Sequence, residues 1–298
     1  VEEDTLLRPL DGADSSMLRA VLPYCLLLPV TNALAPRLPV RVAPARATTS
    51  RCSAADQLVE EDRPRWRGEL HLKGAILFPL VGLELCRAGV ASGMGVAAPL
   101  MFSAGVEGIM AVSGIMHTTD WRQRQPEQAR DVPASKIFHP QWIRLLDYSM
   151  IFLGIGLLYS SMGGLIMGHS AIFRRVIAPI VWGSAVVGIA TKAVFINTAR
   201  WIEAAAFLLQ GWACILGYPI IRAVLSPAQW AIMFGGGLSF TLGVLAYVLQ
   251  WPDFAWHRDR FRAHEAFHLG TIGGFGCFSL LMRSLLVAAG GAPASLVR

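Results

Sequence analysis

The sequence predicts an all-α protein, a seven-transmembrane helix bundle, and three observations support this fold class. Of its 298 residues, 54% are hydrophobic and only 15% are charged, whereas a soluble domain usually carries about 25% charged residues. From residue 74 onward, apolar runs of about 20 residues, long enough to cross the hydrocarbon of a bilayer, alternate with polar connections. Most of these runs lack the polar stripe at helical period that a soluble core helix would show.

Seven such runs define the predicted spans. The longest polar connection separates the second span from the third, and the next longest separates the sixth from the seventh. Span ends predicted from hydropathy are accurate to a few residues. The predicted spans cover residues 73–93, 96–117, 146–167, 175–195, 201–222, 228–250 and 263–287.

Lysines and arginines predict the orientation of the bundle. Beyond residue 62, they are more than twice as frequent on the N-terminal side of the predicted membrane as on the other side. The positive-inside rule therefore places the N-terminus on the cytosolic side, or on the stromal side in a plastid. An even number of spans would remove this asymmetry, so the bias also supports seven.

The net charge of +6 does not indicate a nucleic-acid partner. The basic residues lie in the connections between apolar runs rather than on one face of a helix, which is the distribution that membrane orientation produces. The five cysteines form no C-x-x-C pair and no close spacing. Neither a disulfide framework nor a thiolate metal site is therefore expected.

The chain divides into an N-terminal targeting or disordered segment, residues 1–66, and a seven-transmembrane domain, residues 67–298. Met17 begins a short basic region, an apolar region and a small-residue cleavage site, which is the pattern of a secretory signal. The stretch that follows is rich in arginine and contains no acidic residue before Asp56, which is typical of a transit peptide.

A signal followed by a transit-like stretch resembles the bipartite presequence of algae with complex plastids. This pattern predicts a multi-pass protein of a plastid membrane. The alternative is a disordered cytosolic tail, because Pro23 and Pro29 interrupt the apolar region.

Four polar residues from three separate spans are expected at one depth, on the positive side of the membrane. His117 ends the second span, Asp147 opens the third, and His264 and His268 open the seventh. The i, i+4 spacing of the last two places both imidazoles on one helical face. Together with His117 they supply three nitrogen ligands and leave a position for water, as in a catalytic zinc site. Ser113 lies one turn before His117 on the same face.

The chemistry expected of such a site is hydrolytic. Bound zinc lowers the pKa of its water toward about 7, which provides a nucleophile at neutral pH. Asp147 could hold that water, accept its proton and pass it to a leaving amine. Ser113 could bond to the water or to a ligand. A purely structural zinc that braces spans two and seven remains the alternative.

A second motif overlaps the first. Residues 264–268 read H-E-A-F-H and fit H-E-x-x-H, in which Glu265 would be the general base of a zinc protease. An intramembrane protease would carry this motif in an early span and a ligating aspartate in a later one. Here the motif is in the last span and Asp147 precedes it, so the protease interpretation is the weaker one.

The other four histidines are weaker candidates for metal ligands. His139, His169 and His257 lie in connections and are predicted to be solvated. His71 lies just before the first predicted span, on the same side as the site. We expect it to be an interfacial residue and, less favourably, a further metal ligand.

At these residues the sequence resembles the hemolysin III and adiponectin/progestin receptor family, from Leu70 to Met282. The similarity consists of short motifs that occur in the family's order on the corresponding helices. They are Ser113-x-x-x-His117, Leu146-Asp147-Tyr148-Ser149 with Tyr159, Val181-Trp182-Gly183, Lys192, Gly211-Trp212, Thr241-Leu242-Gly243-Val244 and His264-x-x-x-His268.

The resemblance implies a seven-helix bundle with its N-terminus inside and a zinc ion held by His117, His264 and His268. It places Asp147 and Ser113 beside the bound water. It also implies lipid-amide hydrolysis of the ceramidase type in at least part of the family, which is related to the alkaline ceramidases. Members are described as receptors as well. We therefore predict a zinc-dependent hydrolase of a lipid amide or ester bond, with a receptor or signalling role as the alternative and a membrane lipid as substrate or ligand.

Overall fold

A computed structural model of the chain describes residues 58–62, 64–124, 127, 136–254, 256 and 259–291. The presequence hypothesis concerns residues that lie mostly outside these ranges. Plastid import and the domain boundary after residue 66 therefore stay predictions.

Within the described residues, seven helices are long and apolar enough to cross a membrane, which confirms the predicted all-α seven-span bundle. A single helical turn, Trp121–Arg124, follows the second of them. In chain order the seven helices are α1 (Glu69–Ala91), α2 (Ala97–Thr118), α3 (Gln141–Met167), α4 (Phe173–Val194), α5 (Arg200–Val224), α6 (Pro227–Leu249) and α7 (Ala263–Gly291).

Two helices begin earlier than the hydropathy pattern predicted. α1 begins at Glu69 instead of near residue 73, and α3 begins at Gln141 instead of near residue 146. A polar first turn can extend beyond the hydrocarbon, where a hydropathy window does not detect it. As a result, His71 and Asp147 lie within helices rather than before or at their ends.

The helices form a closed ring in chain order, because each packs against the next and α7 packs against α1. Apolar side chains fill most of the interior, and the most deeply buried are Met110, Ile177, Val181, Leu281 and Met282. We call the end of the ring where α1 begins the inner end. The N-termini of α3, α5 and α7 and the C-termini of α2, α4 and α6 lie there as well. That this end faces the cytosol or stroma stays a prediction of the positive-inside rule.

Three of the helices depart from α geometry. α4 begins with a π turn at Phe173–Ile177, and one tyrosine connects the departures in α3 and α5. α3 contains a π turn at Tyr159–Gly163, and α5 contains a 3-10 segment at Trp212–Gly217. The Tyr159 hydroxyl donates to the Gly211 carbonyl at 2.8 Å and accepts from the Cys214 amide at 2.6 Å. Unpaired backbone groups are costly within a bilayer, so Tyr159 makes the irregular backbone of α5 tolerable.

A short β pair at the inner end was not predicted. β1 (Leu58–Asp62) and β2 (Lys136–Phe138) are antiparallel, with Leu58 opposite Phe138. The chain after β1 also bonds to the α6–α7 connection, because the Arg65 amide donates to the Asp259 carbonyl at 2.8 Å. These bonds hold the α2–α3 connection and the approach to α1 beside the seven-helix domain.

Candidate metal centre

Three histidines meet at the inner end of the ring. His117 lies in the last turn of α2, and His264 and His268 lie in the first two turns of α7. The Nε2 atoms of His117 and His264 are 3.1 Å apart, and one ring nitrogen of each of the three lies within 4.8 Å of the other two. Nitrogens bound tetrahedrally to zinc at about 2.0–2.1 Å would be about 3.4 Å apart. The spacing therefore suits a zinc ion with little movement of the side chains.

The donor set also fits a cation. The three rings direct nitrogen atoms toward one another, and Nδ1 of His268 is buried without a hydrogen-bond partner. A buried polar atom without a partner destabilises a fold by about 1–3 kcal/mol, and a bound cation would offset the repulsion between the imidazole lone pairs. Zinc accepts imidazole nitrogen readily.

A glycine brings the first helix close to this group. Gly68 directly precedes α1 and has a φ of 80°, in the left-handed region that glycine adopts without strain. A Cβ atom at this position would lie 2.5 Å from Cβ of His117. The backbone can pass this closely to the histidine only because residue 68 has no side chain.

Asp147 and Ser113 lie beside the three histidines. The Ser113 hydroxyl lies close enough to the Asp147 carboxylate to interact with it, so α2 and α3 approach each other at this level. Ser113 is buried, whereas Asp147 is half-buried and faces an internal cavity. The three histidines form one group that could hold a metal, and Asp147 and Ser113 line the same cavity without belonging to that group.

The cavity has a volume of about 220 Å³, and its walls are almost entirely apolar. The histidines, Asp147 and Ser113 lie at one end, and Ile221, Trp230 and Leu281 line the other. From His268 to Leu281, α7 rises by about 20 Å. The cavity is therefore a long apolar chamber whose charged and metal-ligating groups gather at the inner end.

Two further histidines pack against this group of three histidines, contrary to prediction. His139 was expected to be solvated but is only 5% exposed, and its ring meets that of His117 edge-on with centroids 5.3 Å apart. His71 was expected at the membrane interface but is only 1% exposed. Its ring stacks on that of His268, with ring centroids 3.7 Å apart. The β pair draws His139 inward, and the early start of α1 draws in His71. Neither belongs to the group of three.

The remaining two histidines lie away from the described site or outside the description. His169 is exposed in the connection between α3 and α4, as predicted. His257 falls outside the described residues.

Glu265, the acid of the H-E-x-x-H motif, is held by other partners. Its Oε1 atom accepts from Nε of Arg67 at 2.5 Å, and the two side chains are 0% and 3% exposed. Its Oε2 atom accepts from the Arg262 backbone amide at 2.8 Å, which is the bond that a glutamate makes at the start of a helix. Glu265 does not line the cavity. These contacts favour a structural role for Glu265 and give no support to a protease base.

The buried Arg67–Glu265 pair yields a stability prediction. We expect Arg67→Met to lower the thermal unfolding midpoint in detergent strongly, because an unpaired buried carboxylate destabilises by about 3–5 kcal/mol. The double variant Arg67→Met/Glu265→Met should recover most of the loss. Glu265→Gln should leave metal binding and any hydrolytic activity of the protein unchanged. A Glu265→Gln protein that is folded and metal-loaded but has lost an activity of the unaltered protein would contradict the structural role.

A closed ring of seven apolar helices, with a histidine triad at one end of an internal apolar cavity, defines a class of polytopic membrane protein with an intramembrane site suited to a metal. The chain belongs to the haemolysin-III-related family, whose sequence model matches residues 60–279. A relative is the Hemolysin-3 homolog of Bacillus subtilis (strain 168), which is 25% identical over 132 residues. That alignment covers 44% of this chain and 57% of the relative, so the chain spans just over half the length of the relative it matches.

Proposed function

We propose that this protein is an integral membrane hydrolase that depends on zinc and cleaves an amide or ester bond of a membrane lipid. One observation carries the proposal: the histidine triad and Asp147 lie together at the end of an otherwise apolar cavity. A lipid substrate needs apolar walls around its chains and polar, reactive groups at the bond that is cleaved.

His117, His264 and His268 would hold the metal. A zinc ion bound by three histidines keeps a position for water and lowers the pKa of that water toward about 7. Asp147 would hold the attacking water, accept its proton and deliver it to the leaving group. The Ser113 hydroxyl, which lies near Asp147, would donate to the carboxylate and keep it oriented toward the cavity.

The cavity suits the acyl part of the substrate. Its length of about 20 Å along α7 exceeds the roughly 15 Å that one leaflet contributes to the hydrocarbon of a bilayer. An acyl chain placed there would put its carbonyl beside the histidines and its polar part at the inner end. The apolar walls would also keep bulk water away from the reacting bond.

The ligand count favours a catalytic over a structural metal. A structural zinc is usually closed by four protein ligands, whereas a catalytic one has three and a water. Among the described residues, the group that could hold a metal consists of three histidines. A receptor role, which the family resemblance leaves open, has no comparable observation in its favour.

The decisive experiment combines metal analysis with a lipid assay on the purified protein. We expect about one zinc per chain and release of free fatty acid from at least one member of a panel of lipid amides and esters. Chelation should abolish the release, and zinc should restore it. Bound zinc with no release from any lipid would favour a receptor or structural role, and absence of metal would overturn the proposal.

A further inference from the structure

A second buried polar cluster lies at the inner end, outside the cavity. Lys192, near the end of α4, pairs with Glu203, in the first turn of α5, and each side chain is only 4% exposed. The Thr198 hydroxyl bridges them, since it accepts from Lys192 Nζ at 2.6 Å and donates to Glu203 Oε1 at 2.9 Å. We refer to these two charged residues as the Lys192–Glu203 pair.

A first set of contacts connects the Lys192–Glu203 pair to His264, one of the three candidate metal ligands. The Tyr247 hydroxyl, on α6, donates to Oε2 of Glu203 at 3.3 Å. The Tyr247 ring meets the His264 ring nearly perpendicularly, with centroids 5.9 Å apart. Glu203 therefore holds the side chain that packs against His264.

A second set of contacts connects the pair to the sequence neighbour of Asp147. Lys192 Nζ lies 3.9 Å from the centre of the Tyr148 ring, on α3. Tyr148 directly follows Asp147, and its side chain lies near that of Tyr247. The pair thus contacts one neighbour of Asp147 and one neighbour of His264, from helices that carry neither.

Stability alone does not account for the pair. Removing two charges from water is costly, and well-packed apolar residues of similar volume often stabilise a protein as well or better. A buried ion pair can instead serve to specify one arrangement of the helices around it. Here the elements are α3 and α6, which flank opposite sides of the histidine triad.

We infer that the Lys192–Glu203 pair, acting through Tyr148 and Tyr247, is a positioning group that sets the placement of Asp147 relative to His264. The inference rests on the proposed function, because it concerns the geometry of the same metal centre. Asp147 and His264 lie on α3 and α7, which are not neighbours in the ring. Contacts through α4, α5 and α6 connect them around the cavity, and none of the four residues is itself a ligand or the proton acceptor.

Two variants test the inference. Tyr247→Phe removes the hydroxyl that Glu203 accepts from and keeps the ring against His264. Lys192→Met/Glu203→Met removes both charges together, so that neither is left buried alone. We expect both proteins to fold with unfolding midpoints near that of the unaltered protein. We expect zinc affinity to fall about 10- to 100-fold, as for other groups that orient metal ligands.

The readout that separates positioning from stability is the visible absorption spectrum of the cobalt-substituted protein, which reports ligand geometry. Both variants should shift it. Gln210→Met is the matched control: Gln210 is buried in α5, about 10 Å from Glu203 along the helix, and donates to the Phe152 and Val181 carbonyls. It should lower the unfolding midpoint and leave the cobalt spectrum unchanged.

The possible outcomes are distinct. Unchanged cobalt spectra and zinc affinity in both variants would overturn the positioning role and leave the proposed function intact. An unaltered protein that binds neither zinc nor cobalt would overturn the proposed function and the inference with it. If the double variant does not fold, Tyr247→Phe alone decides, since it deletes a single oxygen.

Discussion

Replacing His264 with alanine is expected to abolish stoichiometric zinc binding. The substitution removes one of three nitrogen ligands and leaves two, which are too few for a stable zinc site. His264 is half-buried in the first turn of α7, so the seven-helix bundle should still form. Zinc content of the purified variant, measured by elemental mass spectrometry, should fall from about one per chain to near zero.

His169→Ala is the matched control for this result. His169 is exposed in the connection between α3 and α4, away from the inner end, and its loss should leave the zinc content unchanged. If His264→Ala instead retained a full equivalent of zinc, the ligand set would be wrong. His71 and His139, which pack against His268 and His117, would then be the residues to replace next.

Replacing Asp147 with asparagine is expected to separate metal binding from hydrolysis. Asparagine keeps the shape of the side chain and can still accept the Ser113 hydrogen bond, but it cannot take up a proton from the attacking water. Loss of a general base typically lowers a rate by about 10²–10⁴-fold. Fatty-acid release and zinc content should be measured on the same sample, with zinc unchanged and release reduced by that factor.

Ser113→Ala serves as the graded comparison. It removes the donor that orients Asp147 while leaving the carboxylate, so its effect on release should be smaller than that of Asp147→Asn. Full activity in the asparagine variant with zinc retained would refute the mechanism. Loss of zinc in that variant would mean that Asp147 closes the coordination sphere, as expected of a structural metal.

Much of the site could be derived from the sequence because membrane topology restricts depth. Long apolar runs determine where the chain crosses, and the crossings alternate in direction. His117 at the end of one span and His264 at the start of another must therefore lie at the same face. The i, i+4 spacing of His264 and His268 is a local property of a helix, so their shared orientation also required no tertiary information.

The neighbours of the site depended on tertiary structure. The sequence predicts a solvated His139 and an interfacial His71, because hydropathy does not detect the pairing of β1 with β2 or the polar first turn of α1. The sequence likewise contained Arg67 and Glu265 without indicating that they meet across 198 positions of chain.

The sequence by itself determined the fold class and the number of spans, and it predicted one depth for the three histidines and Asp147, since length, hydropathy and helical periodicity are properties of short segments. Only the tertiary structure decided which helix faces meet. The contacts of Lys192 with Glu203 and of Tyr247 with His264 depend on the rotation and spacing of packed helices. Residues that face lipid and residues that face the core are both apolar, because lipid is as apolar as the protein interior. The sequence of one span therefore says little about which face of its helix points toward the core.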